Sequence, residues 1–188
     1  MIELEINTQI KQIENLVNEF SDFARMPKPI LKRNSLVKLL NENIKLLSEV
    51  NKSIKINLNK KNEEILLECD KEQISRVFIN LIKNSIESIE QKGEKNPDFK
   101  KKISIDISSN NDHILISLED NGIGFDKNSI DEILNPYYTT KKNGTGLGLS
   151  IVNKIVNDHK GELEFIQISN GAKVQITFNL NDNRNINS

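Results

Sequence analysis

Asp-Asn-Gly-Ile-Gly at residues 120–124 and Gly-Thr-Gly-Leu-Gly at residues 144–148 are the stretches of this 188-residue sequence that decide its fold. The alternating apolar residues Ile114, Ile116 and Leu118 precede the first stretch and predict a strand that ends in its turn. The second stretch runs into an amphipathic pattern over residues 149–156, so its glycines are predicted at the N-terminus of a helix.

The two turns offer complementary chemistry to a ligand. Glycine permits positive φ and lets a ligand approach the backbone, and the first turn also carries the Asp120 carboxylate. The N–H groups at a helix N-terminus favour an anion. A carboxylate and an anion cradle together indicate a nucleotide held at both ends, although either turn alone is also compatible with a glycine-rich turn that binds nothing.

A third motif, Asn-Leu-Ile-Lys-Asn-Ser at residues 80–85, lies in a predicted helix. Asn80 and Asn84 are four residues apart and therefore share one edge of that helix. Asparagine prefers helix caps, so two asparagines in mid-helix on one edge suggest a function. An amide oxygen can ligate Mg²⁺, which needs few protein oxygens. The apolar face beside them consists of Ile74, Val77, Phe78, Leu81, Ile82, Ser85 and Ile89.

With Pro-Tyr-Tyr-Thr-Thr-Lys at residues 136–141, four motifs occur in a fixed order. In this order they resemble the ATP-binding catalytic domain of bacterial sensor histidine kinases, within the superfamily of gyrase, Hsp90, histidine kinases and MutL. The resemblance covers residues 70–180 and implies a two-layer α/β sandwich, with a mixed sheet and helices on one face (the Bergerat ATP-binding fold). It also implies ATP and Mg²⁺ as cofactors.

The resemblance carries roles over to individual positions. Asp120 would accept from the adenine amino group, with Gly122 and Gly124 shaping the adenine pocket. Asn84 would bind Mg²⁺, and Asn80 and Lys141 would be the catalytic residues, with Lys141 also reaching the γ-phosphate. Packing is an alternative for the aromatic pair at 137–138, and solvent exposure is one for Lys141. The other predicted nucleotide-binding residues are Tyr137, Thr139, Thr140, Gly144, Thr145, Gly146, Leu147, Gly148 and Leu149.

The N-terminal segment has its own pattern. Apolar residues alternate four and three apart from Ile6 to Ala24, which is typical of a helix in a bundle or coiled coil. Pro27 and Pro29 then end the helix. Residues 18–29 resemble the second helix of the dimerisation and histidine phosphotransfer domain of NtrY-like nitrogen-regulation kinases. An amphipathic helix docked on its own domain is the alternative.

Four segments are predicted. Residues 1–26 form one helix of a dimerisation hairpin, 27–33 a linker, 34–180 the ATP-binding catalytic domain and 181–188 a disordered tail. The irregular residues 125–145 lie between the two glycine-rich turns, where a lid is expected.

Several local features complete the prediction. Asp70 with Gln73 forms a capping arrangement for the asparagine helix, which Gly93 ends. The lysine-rich loop at residues 92–102 is interpreted as solvated surface. His113 opens a strand, and His159 ends a helix where a cation would complement the dipole.

Composition excludes several classes of protein. The 26 basic and 27 acidic residues give a net charge of −1, so neither nucleic-acid binding nor direct membrane contact is expected. Apolar runs and signal patterns of membrane or secreted proteins are missing, and single Cys69 reads as a core residue. A cytoplasmic location is expected for these residues. This location is compatible with a full-length parent protein that is anchored in the inner membrane.

Three functions are compared. The first is the catalytic part of a two-component sensor kinase that transfers the γ-phosphoryl of Mg·ATP to a histidine. The resemblance implies a phosphoacceptor histidine that is followed by an acidic residue, and neither His113 nor His159 has such a neighbour. The acceptor histidine is therefore expected to be absent from this chain. The partners of this kinase would be a phosphoacceptor domain and a response regulator receiver domain, with a homodimer in the full-length protein. The second is a superfamily ATPase, disfavoured because those enzymes place a glutamate where Asn80 stands. The third is an inactive ATP-binding module.

Overall fold

The structure is a computed structural model. It describes residues 23–180 except 95, 97, 126–131 and 140–143, together with residues 10, 13, 14, 16–18, 20 and 21. The predicted tail at 181–188 therefore lies outside the described residues, as do the two middle parts of the predicted lid.

The described residues of the domain form seven strands and three helices. The strands are Lys32–Ser35 (β1), Lys55–Lys60 (β2), Leu66–Cys69 (β3), Lys102–Ser109 (β4), His113–Asp120 (β5), Gly161–Ile168 (β6) and Gly171–Asn179 (β7). The helices are Leu36–Val50 (α1), Lys71–Gly93 (α2) and Gly148–Asp158 (α3).

Five of the strands form one mixed sheet in the order β2-β4-β5-β7-β6. The pair β2 and β4 is parallel, and the other neighbours are antiparallel. Strands β4 and β5 form an antiparallel hairpin, and so do β6 and β7, whose turn contains Asn170. Strands β1 and β3 form a small antiparallel sheet that the sequence did not predict. The first two residues of β1 belong to the predicted linker.

The core lies between one face of the sheet and the helices. Alternate residues of β4, β5 and β7 are buried, and the apolar face predicted for α2, including Ser85, is buried as well. The predicted fold, a mixed sheet with helices in an α/β sandwich, is confirmed. Its largest fully buried side chains include Leu36, Leu40, Ile74, Ile82, Ile89, Ile103, Ile105, Ile107, Ile114 and Phe178.

At the N-terminus of α2, Asp70 caps the first helical N–H groups as predicted, but the Asp70 N–H itself has a different partner from the predicted Gln73. Asp70 Oδ1 accepts from the backbone N–H groups of Glu72 (3.0 Å) and Gln73 (3.1 Å). The Gln73 side chain does not return to the Asp70 N–H, because it donates to Pro27 O at 3.0 Å. His159 Nε2 instead accepts from Asp70 N at 3.0 Å.

The interpretation of His159 as a cation at the end of α3 is wrong. Its Nε2 accepts a backbone N–H, so that nitrogen carries no proton. Its Nδ1 lies 2.8 Å from Ile155 O and must be the donor, because a carbonyl only accepts. The buried ring is therefore the neutral Nδ1-protonated tautomer, which links the end of α3 to the start of α2.

The chain before the domain is helical at the described positions between 10 and 24. Its apolar residues Ile10, Ile13, Leu16, Val17 and Phe20 are exposed, whereas Phe23 is half-buried against the core of the domain. Residues 26–31 have no regular secondary structure, and Ile30 N donates to Asp70 Oδ2 at 2.9 Å. Among the described residues, no helix combines the length and apolar character needed to cross a membrane.

Candidate functional site

Asp120 is the last residue of β5, a central strand of the sheet. Its carboxylate is buried, with Oδ1 accepting from Gly122 N at 2.8 Å and Oδ2 from Ser85 Oγ at 3.0 Å. A carboxylate has about four acceptor positions. These bonds fix its orientation and leave acceptor capacity for an N–H donor of a ligand.

Burial is the largest influence on the Asp120 carboxyl group and raises its pKa above the ordinary value. Hydrogen bonds from Gly122, Ser85 and Ala172 and the charge of Lys92 act in the opposite direction. The fold therefore supplies donors to an anion that desolvation disfavours.

The two glycines of the first turn are needed for different reasons. A Cβ on Gly122 would collide with Ser88 Oγ and lie 2.6 Å from the Ser88 carbonyl carbon, so only glycine allows this turn to touch α2. Gly124 has φ of +79°, and a Cβ there would lie 2.8 Å from Gly171 O. The Ile123 N–H donates to Ser88 Oγ at 3.1 Å. The turn is thus seated on the second half of α2.

The second glycine-rich stretch meets the same helix two turns earlier. Asn80 Nδ2 donates to Arg76 O at 2.8 Å, and Asn80 Oδ1 would be 3.3 Å from a Cβ placed on Gly148. Asn84 follows one turn later on α2 and is half-buried. Asn80, on the predicted asparagine edge of α2, therefore faces the start of α3.

No side chain among the described residues caps the N-terminus of α3. The side chain of Leu147 is fully buried and that of Leu149 packs against the core, so only their backbone groups can face a ligand. Thr145 Oγ1 accepts from Leu147 N at 3.4 Å, and Gly144 is half-buried. This end offers backbone N–H groups that suit an anion.

The loop before α3 is held against Gly146. Tyr137 N donates to Gly146 O at 3.1 Å, and a Cβ on Gly146 would collide with the Tyr137 carbonyl carbon. Both residues have positive φ, +69° for Tyr137 and +71° for Gly146. Tyr138 is half-buried and Thr139 is exposed. The predicted residues Thr140 and Lys141 lie outside the described residues.

The geometry brings the two turns to opposite ends of one segment of α2. Asn80, which faces Gly148, and Ser88, which contacts Gly122, are eight residues apart in the sequence. Eight residues of α-helix span about 12 Å. An acceptor carboxylate and a helix N-terminus are therefore held apart along one helix, as a ligand with a polar ring at one end and an anion at the other requires.

Sequence reasoning missed three residues that build this site. Ser85 was noted only as part of the apolar face, where a hydroxyl group in a buried stripe was a usable signal. Ser88 and Lys92 gave no signal in the sequence. The interpretation of the lysine-rich loop as solvated surface is wrong for Lys92, whose Nζ donates to Asn121 O at 2.8 Å and Gly122 O at 3.0 Å.

Comparison with known proteins places the chain in a family. The model of the histidine kinase-, DNA gyrase B- and HSP90-like ATPases matches residues 69–182, more than half of the chain. An NtrY-like sensor histidine kinase of Rickettsia bellii is 33% identical over 171 residues, which are 90% of this chain and 27% of the relative. The chain thus spans about a quarter of that relative's length.

Solved structures agree with the sequence relatives. The catalytic domain of histidine kinase ThkA is 29% identical with a TM-score of 0.70, covering 79% of this chain and 95% of that domain. ThkA in complex with the response regulator protein TrrA is 25% identical with a TM-score of 0.75, covering 93% of this chain and 49% of ThkA. The predicted resemblance is confirmed: this chain belongs to the family of histidine kinase-, DNA gyrase B- and HSP90-like ATPases, and its relatives include sensor histidine kinases of the NtrY-like type.

Proposed function

We propose that this chain binds Mg·ATP along α2 and transfers the γ-phosphoryl group to a histidine of a separate phosphoacceptor domain. The observation that carries this proposal is the placement of Asp120 and the α3 N-terminus at the two ends of residues 80–88 of α2. Each end suits one end of ATP.

At the adenine end, the buried Asp120 carboxylate accepts from the exocyclic amino group. Gly122 and Gly124 shape the pocket for the base, because a Cβ at either position has no room and only glycine lets the turn pack against Ser88 and Gly171 O. Such a charge-assisted hydrogen bond selects adenine, since a base with a carbonyl at that position would face a carboxylate.

At the phosphate end, Gly144, Thr145, Gly146, Leu147 and Gly148 wrap the phosphates with backbone groups. Leu149 N adds to them in the first turn of α3, while its half-buried side chain packs against the core. Glycine at 148 keeps the space beside Asn80 Oδ1 open, and the helix dipole favours the negative charge there. Tyr137, Thr139, Thr140 and Lys141 belong to the loop that covers this end.

Asn84 is proposed as the Mg²⁺ ligand. Its amide oxygen is a hard donor, and Mg²⁺ takes few protein oxygens and completes its shell with water and phosphate. The described residues contain no cluster of three or more His, Cys, Asp or Glu side chains that would suit a protein cage for a metal. When bound, Mg²⁺ would neutralise charge on the phosphates.

Transfer needs positioning and charge neutralisation more than a strong base. Asn80 fits this role, because its Nδ2 is held by Arg76 O and its Oδ1 is thereby aimed at Gly148. Lys141 supplies a positive charge near the γ-phosphate. The alternative of a hydrolytic ATPase is disfavoured because an amide cannot accept the proton of an attacking water.

Residues 1–26 are proposed as one helix of a dimerisation hairpin, 27–33 as the linker, 34–180 as the catalytic domain and 181–188 as a disordered tail. Exposed apolar residues on the N-terminal helix fit a partner helix in a homodimer. A response regulator receiver domain is proposed as the downstream partner, because ThkA, 25% identical, forms a complex with one.

The test is calorimetry of ATP binding with and without Mg²⁺, followed by labelling of a supplied histidine phosphotransfer domain with radioactive ATP. We expect Mg²⁺-dependent binding and an acid-labile, base-stable label on the supplied domain. Asn84→Ala should abolish the label, while Asn157→Ala, an exposed amide near the other end of α3, should not. Phosphate release without any transfer would favour the ATPase, and no ATP binding would overturn the proposal.

A further inference from the structure

Lys92 lies in the last turn of α2, and its ammonium group donates hydrogen bonds to three oxygen atoms. These are Asn121 O at 2.8 Å, Gly122 O at 3.0 Å and the side-chain oxygen of Asn170 in the turn between β6 and β7. An ammonium has three N–H donors, so all of them are used. The ring of Phe99 lies beneath the same group, with its centroid 4.9 Å from Nζ.

The two backbone carbonyls belong to the Asn121–Gly122 and Gly122–Ile123 peptide groups. In a planar trans peptide the C=O and the N–H point in opposite directions. Lys92 holds Asn121 O, so the N–H of the same peptide, that of Gly122, is aimed at Asp120 Oδ1. It also holds Gly122 O, so the next N–H, that of Ile123, is aimed at Ser88 Oγ. One side chain therefore orients both peptide groups of the turn.

The charge of Lys92 acts on Asp120 as well. Among the described residues, Lys92 is the charged side chain that influences this carboxyl group, whose other neighbours are the Ser85 hydroxyl and the N–H groups of Gly122 and Ala172. Lys92 lowers the pKa of Asp120 against the raising effect of burial. Orientation of the donor and stabilisation of the anion thus come from the same ammonium.

We propose that Lys92 is a positioning residue for adenine recognition, which holds the two peptide groups after Asp120 so that Gly122 N–H supports the ionised carboxylate. The proposal rests on the proposed function, because it assumes that Asp120 receives the adenine amino group. It ties three separate segments, the end of α2, the turn after β5 and the turn between β6 and β7, to one recognition contact.

The experiment compares Lys92→Met with wild type in the 188-residue chain, by calorimetry of Mg·ATP binding between pH 5.5 and pH 8. Methionine keeps the apolar stem and removes the ammonium. We expect a loss of affinity of about tenfold, as for one charge-assisted hydrogen bond. The loss should be larger at acidic pH, because without Lys92 the carboxyl group is protonated at higher pH and no longer accepts. Lys92→Arg keeps the cation and should recover part of the affinity, while Lys71→Met, an exposed lysine on the same helix, should bind like wild type.

A second readout does not involve nucleotide. The amide proton of Gly122 reports the ionisation of Asp120 through their hydrogen bond, and its pH titration can be followed by NMR. The midpoint should move to higher pH in Lys92→Met. A role restricted to stability would lower the melting temperature without moving this midpoint.

Three outcomes separate the possibilities. Equal ATP affinity in Lys92→Met and wild type overturns the positioning role, and so does a loss of affinity that is the same at every pH with an unmoved Gly122 midpoint. Failure of wild type to bind ATP overturns the proposed function instead. If Lys92→Met does not fold, Asn170→Ala, which alters an exposed turn and removes the third acceptor, should shift the Gly122 midpoint, and an unmoved midpoint there counts against the proposal.

Discussion

Burial and hydrogen bonding act in opposite directions on the Asp120 carboxyl group. Burial prevails, and the pKa of the folded protein lies above the ordinary value. A carboxyl group with a raised folded-state pKa contributes stability that is complete below the unfolded pKa and is lost as the pH rises through the folded value. At neutral pH the fold therefore keeps a charge that lowers its free energy of unfolding, which is the pattern expected where a residue serves binding.

Asp120→Asn separates the two consequences. ATP affinity should fall roughly tenfold to a hundredfold, because a charge-assisted hydrogen bond becomes a neutral one. The free energy of unfolding of the variant, relative to wild type, should increase between pH 4 and pH 7, since asparagine does not titrate. Calorimetry and urea unfolding at several pH values measure both quantities, with the exposed Asp98→Asn as control. Unchanged ATP affinity would contradict the adenine assignment.

What the sequence predicts at this scale depends on whether a residue belongs to a local motif. Asp120, Gly122 and Gly148 were found because glycine and a carboxylate in a short turn have a chemical meaning of their own. Lys92 and Ser88 act through contacts with a turn about 30 residues later, and nothing next to them in the sequence indicates those contacts. The positions of Thr140 and Lys141 stay predictions.

At the scale of elements, α2 positions the site, and its N-terminus is where three segments meet. Asp70 Oδ1 caps the first turn, Asp70 Oδ2 accepts from Ile30 N, and the Asp70 N–H donates to His159. Burial raises the pKa of Asp70, but the hydrogen bonds that its carboxylate accepts from the backbone N–H groups of Ile30, Gln73 and Glu72 outweigh it, so that the pKa lies below its ordinary value. The linker, α2 and the end of α3 are therefore joined by one residue.

Asp70→Ala should lower the free energy of unfolding by about 1 to 2 kcal/mol at pH 7, as loss of an N-cap does. Because the folded-state pKa is lowered, this stabilisation is present above the unfolded pKa and is lost as the pH falls through the folded value. The difference from wild type should therefore shrink below about pH 4. Urea unfolding at pH 7 and pH 3 measures it, and the exposed Glu90→Ala on the same helix is the control. A difference that stays constant over this range would exclude an ionised cap.

Elements with strong periodicity were predictable, and those that depend on distant partners were not. The apolar face of α2 and the alternation in β4, β5 and β7 specify a helix and strands without knowledge of the rest. Strand β1 is short and consists of four polar or charged residues, and it becomes a strand by pairing with β3. The predicted capping of the Asp70 N–H by Gln73 is wrong for the same reason, since the partner of that N–H is His159, 89 residues away.

At the scale of the whole molecule, the helical segment before the domain approaches the site. The ring of Phe20 stacks on that of Tyr137, with centroids 6.4 Å apart and an angle of 28° between the planes. Tyr137 in turn donates to Gly146 O in the second glycine-rich stretch. The N-terminal helix, the loop and the start of α3 are thus connected by direct contacts.

The same geometry places both histidines far from the site. His113 and Asp120 are the two ends of β5, an eight-residue strand, and so lie about 23 Å apart at roughly 3.3 Å per residue. His159 follows the C-terminus of α3, an 11-residue helix, so it lies about 16 Å from the N-terminus that would hold the phosphates. His159 is also buried, with both ring nitrogens engaged.

The chain by itself should therefore bind ATP without labelling its own histidines. In-line transfer needs the acceptor nitrogen about 3 to 3.5 Å from the phosphorus, and a rigid domain cannot close either of these gaps. The measurement is incubation of the 188-residue chain with radioactive ATP, followed by acid and base treatment and peptide mapping. His113→Gln should be indistinguishable from wild type, and addition of a histidine phosphotransfer domain should give a label on that domain alone. An acid-labile, base-stable label mapped to His113 or His159 would mean that the domain opens far enough to bring its own side chain to the nucleotide, and the rigid arrangement along α2 would then be wrong.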